Sequence, residues 1–193
     1  MIRLLIILIL AFSFQTLSKA DNIKDFEIEG MSIGDSLLDF YSKDEIIKQH
    51  NAPGSAVTYT DNSFLYSSFP LNKKKYDKIS FHYKKNDNRF IIYHMSGILR
   101  FDNDFNQCEN KQNEIVRSIL PLLKNFTKKN FLVSKDMTNG EREVIGIHFS
   151  NKNNEYVRID CTDWSAKLKF TDHLRLDFLS SEFNFWLNTK AYK

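Results

Sequence analysis

The segment VIGIHFSNKNNEYVRIDC, residues 144–161, decides the fold of this chain. Two runs that alternate apolar and polar residues flank an Asn-rich turn, which is the pattern of an antiparallel hairpin with one buried face. If the loop has an odd number of residues, the buried face of the hairpin contains six residues, namely Ile145, Ile147, Phe149, Val157, Ile159 and Cys161. We expect this register, because an even number would oppose Ile147 to Arg158. A third strand is predicted over 173–179, which extends the hairpin into a meander.

A long helix is predicted to begin within Asp102 to Asp104. Apolar residues then recur at intervals of three and four through position 122, with Cys108 on the inward side. Pro121 is expected to kink or end this helix, because a proline removes a backbone hydrogen bond. Cys161 also points inward, so we expect a disulfide from Cys108 to Cys161 that joins helix and sheet. It would close a loop of about 53 residues, for which the chain-entropy model gives about 4 kcal/mol.

Residues 1–20 have the order of a secretory signal peptide: Arg3, then an apolar run, then small residues before the cut. The apolar run is shorter than the roughly 20 residues that cross a bilayer. We therefore predict cleavage between Ala20 and Asp21, a single domain over 21–193, and no transmembrane anchor after cleavage. A periplasmic or secreted location follows, and its oxidising conditions make cysteine pairing the default.

Charge argues against a nucleic-acid partner. The chain has 27 Lys and Arg against 24 Asp and Glu. Arg3 and Lys19 leave with the signal peptide, so the mature protein is nearly neutral. The dense basic run Lys73-Lys74-Lys75 is interpreted as a solvated turn next to Pro70. Binding to phosphates would need a more concentrated basic surface.

Other segments supply shorter elements. Ser42 and Glu45 have capping-box spacing at the start of a short helix. A strand is predicted over 64–69, and Ser180 or Ser181 is predicted to cap a final helix that runs through Trp186. The predicted fold is α+β: an antiparallel sheet of about five strands, one long helix packed on one face, and short helices at both ends.

A second hairpin is predicted from residues 76–84 and 89–101. If Lys84 faces Arg89, then His82 and His94 fall on opposite faces of this hairpin. That geometry disfavours a metal site made from both histidines.

Three acidic or histidine candidates were weighed for chemistry. Residues 102–106 (DNDFN) resemble the opening of a calcium loop. A loop of that type has Gly at its sixth position, where this chain has Gln107, so helix capping is the better interpretation. Asp160 and Asp163 have the residue types of paired acid–base carboxylates, but solvated acids at a strand end are the commoner explanation and the preferred one. His148 lies off the apolar face, where it is either a base or an ordinary half-buried histidine.

Glycine and aromatic residues give no cofactor motif. Gly30 and Gly34 are spaced as a turn and not as a phosphate-binding loop. A set of aromatic residues near the end of the chain either forms a ligand surface or docks the last helix on the core, namely Trp164, Phe183, Phe185 and Trp186. We therefore assign no catalytic, cofactor-binding or metal residue and expect no cofactor.

The stretch GMSIGDSLL, residues 30–38, together with the signal peptide, the Cys108 helix and the Cys161 strand, resembles uncharacterised secreted proteins of small-genome marine bacteria. The resemblance covers most of the mature chain and implies a periplasmic protein without an assigned role. The turn Gly30-Met31-Ser32 alone is also similar to the G-M-[ST] turn of small outer-membrane-assembly lipoproteins.

Two functions of different classes are consistent with these patterns. The first is a non-enzymatic binding or interaction module, whose partner would be an envelope protein or a small ligand. The alternative is an envelope hydrolase that uses carboxylate or histidine acid–base chemistry. An enzyme would gather Asp160, Asp163 and His148 in one pocket, whereas a binding module would leave a sheet face or edge exposed.

Overall fold

The sheet of this protein is larger than its sequence indicates. The computed structural model describes residues 22–53, 59–71, 75–101, 104–133 and 142–193. They contain three α-helices and two antiparallel sheets, so the predicted α+β class is confirmed. The estimate of five strands is wrong, because the main sheet has seven described strands and a separate hairpin adds two more. The predicted signal peptide and its cleavage site, Ala20 and Asp21, lie outside the described residues.

The strands are β1 (Glu27–Ile28), β2 (Met31–Ser32), β3 (Phe64–Pro70), β4 (Lys78–Lys84), β5 (His94–Arg100), β6 (Thr127–Val133), β7 (Arg142–Ser150), β8 (Tyr156–Trp164) and β9 (His173–Leu179). The helices are α1 (Lys43–His50), α2 (Phe105–Ile119) and α3 (Ser181–Thr189). The order in the large sheet is β3-β4-β5-β9-β8-β7-β6. The strand that comes last in the chain, β9, therefore lies in the middle and joins two three-stranded halves.

The hairpin of β7 and β8 has the predicted register. Ile145 pairs with Cys161 and Ile147 with Ile159, across a five-residue loop between Ser150 and Tyr156. Val157, Ile159 and Cys161 are fully buried on the face that packs against α2.

The predicted helix is α2, and it attaches to the sheet through the predicted disulfide. Asp104 caps it by accepting a hydrogen bond from the backbone N–H of Gln107, which favours the capping interpretation of this segment over a calcium loop. The helix ends at Ile119, just before Pro121. The Sγ atoms of Cys108 and Cys161 are bonded, so the disulfide is confirmed.

The predicted register of the hairpin of β4 and β5 is wrong. His82 pairs directly with His94, on the same face of the sheet, instead of Lys84 with Arg89. The reason is that Ile91 and Ile92 do not continue β5. Their backbone groups pair instead with residues 34–36. The connection between β4 and β5 is therefore longer than predicted, and each side chain of β5 points to the opposite face from the one predicted.

Short elements at the ends of the domain follow their local sequence. Ser42 and Glu45 form the expected capping box of α1, and the hydroxyl of Ser180 caps α3. Sequence patterns missed the hairpin of β1 and β2, whose turn at Glu29 and Gly30 has two positive φ angles. They also missed β6, because this edge strand buries almost no side chain.

The two faces of the sheet are covered differently. The main core lies between the sheet, α2 and the N-terminal segment. On the other face, α3 covers one end of the sheet through a smaller cluster that contains Tyr59, Phe64, Phe183 and Trp186. In the described part of the chain, no helix has both the length and the apolar character needed to cross a bilayer.

Candidate functional site

The face of the sheet opposite α2, called the polar face here, brings together charged side chains from separate strands. The disulfide shows that Cys161 of β8 points to the side of the sheet that faces α2. Because side chains alternate along a strand, Arg158 and Asp160 point to the polar face. The register places Asp177 of β9 directly beside Arg158. His94 of β5 and its partner His82 of β4 lie one position further along the same face.

Tyr59 and four side chains of the sheet form a continuous, largely buried chain of contacts on the polar face. The hydroxyl of Tyr59 lies 2.7 Å from Nε2 of His82, and the Nδ1 atoms of His82 and His94 are 2.8 Å apart. Nε2 of His94 lies 3.1 Å from Oδ1 of Asp177. Nη2 of Arg158 pairs with the other carboxylate oxygen of Asp177 at 2.9 Å. Phe183 of α3 lies over both imidazole rings and separates them from solvent.

The protonation states along this chain follow from burial. Burial lowers the pKa of both His82 and His94, so both rings are uncharged at neutral pH. Burial alone would raise the pKa of Asp177, but Arg158 and the hydrogen bond from His94 hold it well below its usual range. Since a carboxylate only accepts hydrogen bonds, His94 donates from Nε2 and accepts at Nδ1 from His82. Tyr59 then donates to Nε2 of His82.

Arg158 is where this buried chain reaches solvent. Its side chain is 26% exposed, whereas that of Asp177 is fully buried. Burial lowers the pKa of Arg158, but Asp177 and Asp160 more than offset this and raise it, so the guanidinium stays charged. Its Nε atom is buried and finds no hydrogen-bond acceptor among the residues that the structure describes. A buried donor of this kind costs about 1–3 kcal/mol when it is left unsatisfied.

His148 and Asp160, two of the predicted candidates, do come together. Nε2 of His148 lies 2.8 Å from Oδ1 of Asp160, and its Nδ1 lies 3.4 Å from the hydroxyl of Tyr156. Gly146 makes this approach possible, since a Cβ there would lie 2.5 Å from Oδ1 of Asp160 and 2.8 Å from Nε2 of His148. Phe131 stacks on the imidazole at 5.1 Å. Both ring nitrogens of His148 are thus engaged by the protein itself.

Asp163 does not join that pair. It has the opposite parity to Asp160 on β8, so it points to the α2 side and lies beside Glu143 in the register. Burial, together with the charges of Asp172 and Glu143, raises the pKa of Asp163. Sequence spacing had made Asp160 and Asp163 a possible acid–base pair, and the structure separates them.

An open cleft of about 310 Å³ lies on the polar face around Arg158. The residues that line it are Phe131, Val133, Arg142, Val144, His148, Arg158, Asp160, Thr162, Trp164, His173 and Arg175. Three are arginines, and the one carboxylate among these lining residues is Asp160, which His148 engages. Arg142 lies over the ring of Trp164 at 5.1 Å. The cleft is therefore cationic although the chain as a whole has a net charge of only +3.

Sequence reasoning missed these arginines. Arg142, Arg158 and Arg175 all occupy the phase of their strands opposite to the apolar residues, which is the available signal. That phase alone indicates solvent exposure. Only the sheet order, which sets β9 beside β8, shows that the three guanidinium groups share one cleft.

The other candidates have structural roles. Gly30 and Gly34 occupy turns with φ of 81° and 98°. Phe183 and Trp186 are buried where α3 meets the sheet, while Phe185 is exposed. Within the described ranges, no group of three His, Cys, Asp or Glu side chains is placed to hold a metal ion.

The fold and this site define a disulfide-stapled α+β domain with a cationic cleft on one sheet face. Comparisons with protein-family models, with curated proteins and with solved structures found no match to the chain.

Proposed function

We propose that this protein is a secreted, non-enzymatic binding module that holds an anionic ligand in the cleft around Arg158. The observation that carries the proposal is the guanidinium group of Arg158. Asp177 pairs with its Nη2 atom, while the Arg158 side chain stays 26% exposed and lines the cleft. An anionic oxygen in the cleft can therefore contact the exposed part of this guanidinium group.

The neighbouring charges support an anion in particular. Arg142 and Arg175 are exposed and line the same cleft, and neither has an ion-pair partner within 4 Å among the described residues. Guanidinium groups bind carboxylate and phosphate through two parallel hydrogen bonds, which makes them suited to such ligands. Arg158 and Arg175 lie on adjacent strands, two residues apart in the register, and an anion between two like charges relieves their repulsion.

The proposed location rests on two observations. The bonded Cys108–Cys161 pair is typical of proteins from oxidising compartments. Residues 1–20 have the pattern of a signal peptide. In that compartment the partner would be an envelope component or a small ligand.

The hydrolase alternative has one observation in its favour, the contact of His148 with Asp160. A general base needs a nitrogen available to the substrate or to water. In His148 one nitrogen contacts Asp160 and the other contacts Tyr156. This arrangement supports a structural role, so binding remains the better proposal.

Titration with citrate tests the proposed function. Citrate is a small polyanion, and amide chemical shifts would locate its site on the protein. We expect shifts to concentrate on residues around Arg158, and Arg175→Gln to weaken binding about tenfold, the equivalent of one charge-assisted hydrogen bond. The matched control is Arg117→Gln, which makes the same change on the exposed side of α2. Absence of saturable shifts in the cleft would refute the proposal.

A further inference from the structure

The cationic residues of the polar face extend well beyond the cleft around Arg158. Five neighbouring strands, β4, β5, β9, β8 and β7, each contribute one cation to the lining of two adjacent clefts. These cations are, in sheet order, Lys78, Arg100, Arg175, Arg158 and Arg142. The register offsets each of Lys78, Arg100, Arg175 and Arg158 by two residues from the next, so these four form a row about 14 Å long across four strands. Arg142 lies off this row, opposite Trp164 and six residues along the sheet from Arg158.

The two clefts form one groove. The second cleft has a volume of about 480 Å³ and shares Trp164, His173 and Arg175 with the first. It adds Lys78 and Arg100, together with Lys169 from the loop before β9, and no acidic residue lines it among those described. A ligand the size of citrate reaches only part of this groove, so the remaining cations need a longer partner.

We propose that the ligand is a linear acidic polysaccharide that crosses the strands along this groove. This inference rests on the proposed function and specifies the chemical class of its ligand. A carboxylated or sulfated glycan carries anionic groups repeatedly along an extended chain, which matches a row with one cation on each strand. Guanidinium groups bind both kinds of anion through paired hydrogen bonds.

The aromatic residues of the groove favour a glycan over a single-stranded nucleic acid. Proteins that bind single strands stack successive bases on free aromatic faces. Here the ring of Trp164 contacts Arg142 and also Phe170, whose centroid lies 4.9 Å away. The ring of Phe131 stacks on His148. Phe131 and Phe170 are 40% and 62% exposed, but each already contacts a neighbouring ring, so charge is the continuous feature of the groove.

Oligogalacturonates of defined length test the inference by calorimetry. We expect the octamer to bind at least about tenfold more tightly than the dimer, because only the octamer engages both clefts at once. Arg100→Gln is expected to weaken the octamer by at least about fivefold and to reduce the salt dependence of its binding, since one ion contact is lost. Arg117→Gln, on the opposite side of the molecule, serves as the matched control and should leave octamer binding unchanged.

The other outcomes separate this inference from the proposed function. If citrate binds in the first cleft but the octamer is no tighter than the dimer, the extended ligand is refuted and the anion site stands. Equal affinity for an eight-residue oligothymidylate, or for neutral maltooctaose, would also overturn the inference. If neither citrate nor the octamer binds, both proposals fail. Circular dichroism of each variant confirms that the fold is retained.

Discussion

Asp177→Asn removes the buried negative charge that holds Arg158 and leaves the shape of the side chain almost unchanged. Asp177 is fully buried, and its partner Arg158 is about three-quarters buried. Removal of one partner from a buried ion pair costs about 3–5 kcal/mol, because the remaining charge stays desolvated and unpaired. Since Arg158 reaches solvent in the cleft and keeps part of its hydration, we expect a loss near the lower limit, about 3 kcal/mol.

Urea unfolding with linear extrapolation measures this loss. The control is Glu182→Gln, which breaks the pair with Lys84 at a similar distance, 2.7 Å, where both side chains are largely exposed. That variant should lose less than about 1 kcal/mol. Adding Arg158→Met to Asp177→Asn removes the unpaired cation and should restore most of the stability. A cost below about 1 kcal/mol for Asp177→Asn, or no restoration in the double variant, would refute the reasoning.

Three further predictions concern stability. Replacing Cys108 and Cys161 by Ala removes a cross-link between residues 53 positions apart and should lower the free energy of unfolding in urea by about 4 kcal/mol. An unchanged unfolding midpoint would contradict the entropic account. Because burial lowers the pKa of His82 and His94, the unfolded chain takes up protons first, so stability should fall as the pH drops below about 6.5, by up to about 1.4 kcal/mol per pH unit for each histidine. A thermal-melting profile flat between pH 7 and 5 would count against this. Gly146→Ala should cost about 1–3 kcal/mol by forcing apart the side chains that meet over it, and a neutral effect would contradict the close approach.

Local patterns in the sequence predicted those features of the fold that depend on residues close together in the chain. The alternation around Ile147 and Ile159 predicted a register that the structure has, and the helical spacing around Cys108 predicted the partner of Cys161. The predicted register of the hairpin of β4 and β5 is wrong because Ile92 pairs with the N-terminal segment, and local sequence spacing does not reveal such a long-range contact.

The candidate site depends almost wholly on such long-range contacts. His94, Arg158 and Asp177 come from three strands that are adjacent in space, and 83 residues separate His94 from Asp177. Their pairing requires β9 to enter between β5 and β8, and alternation within a single strand carries no information about that order. Individual charged residues were visible in the sequence, but the groove that they form was not.

The central position of β9 has a consequence for how the protein folds. Among the described strands, those of the half β3-β4-β5 do not pair with those of the half β8-β7-β6. Both halves pair with β9, which follows them in the chain. Synthesis of a chain proceeds from its N-terminus, so the edges of β5 and β8 that face β9 stay unpaired until residues 173–179 emerge. The same segment brings Asp177 to Arg158, so it joins the two halves of the sheet and also completes the cleft around Arg158.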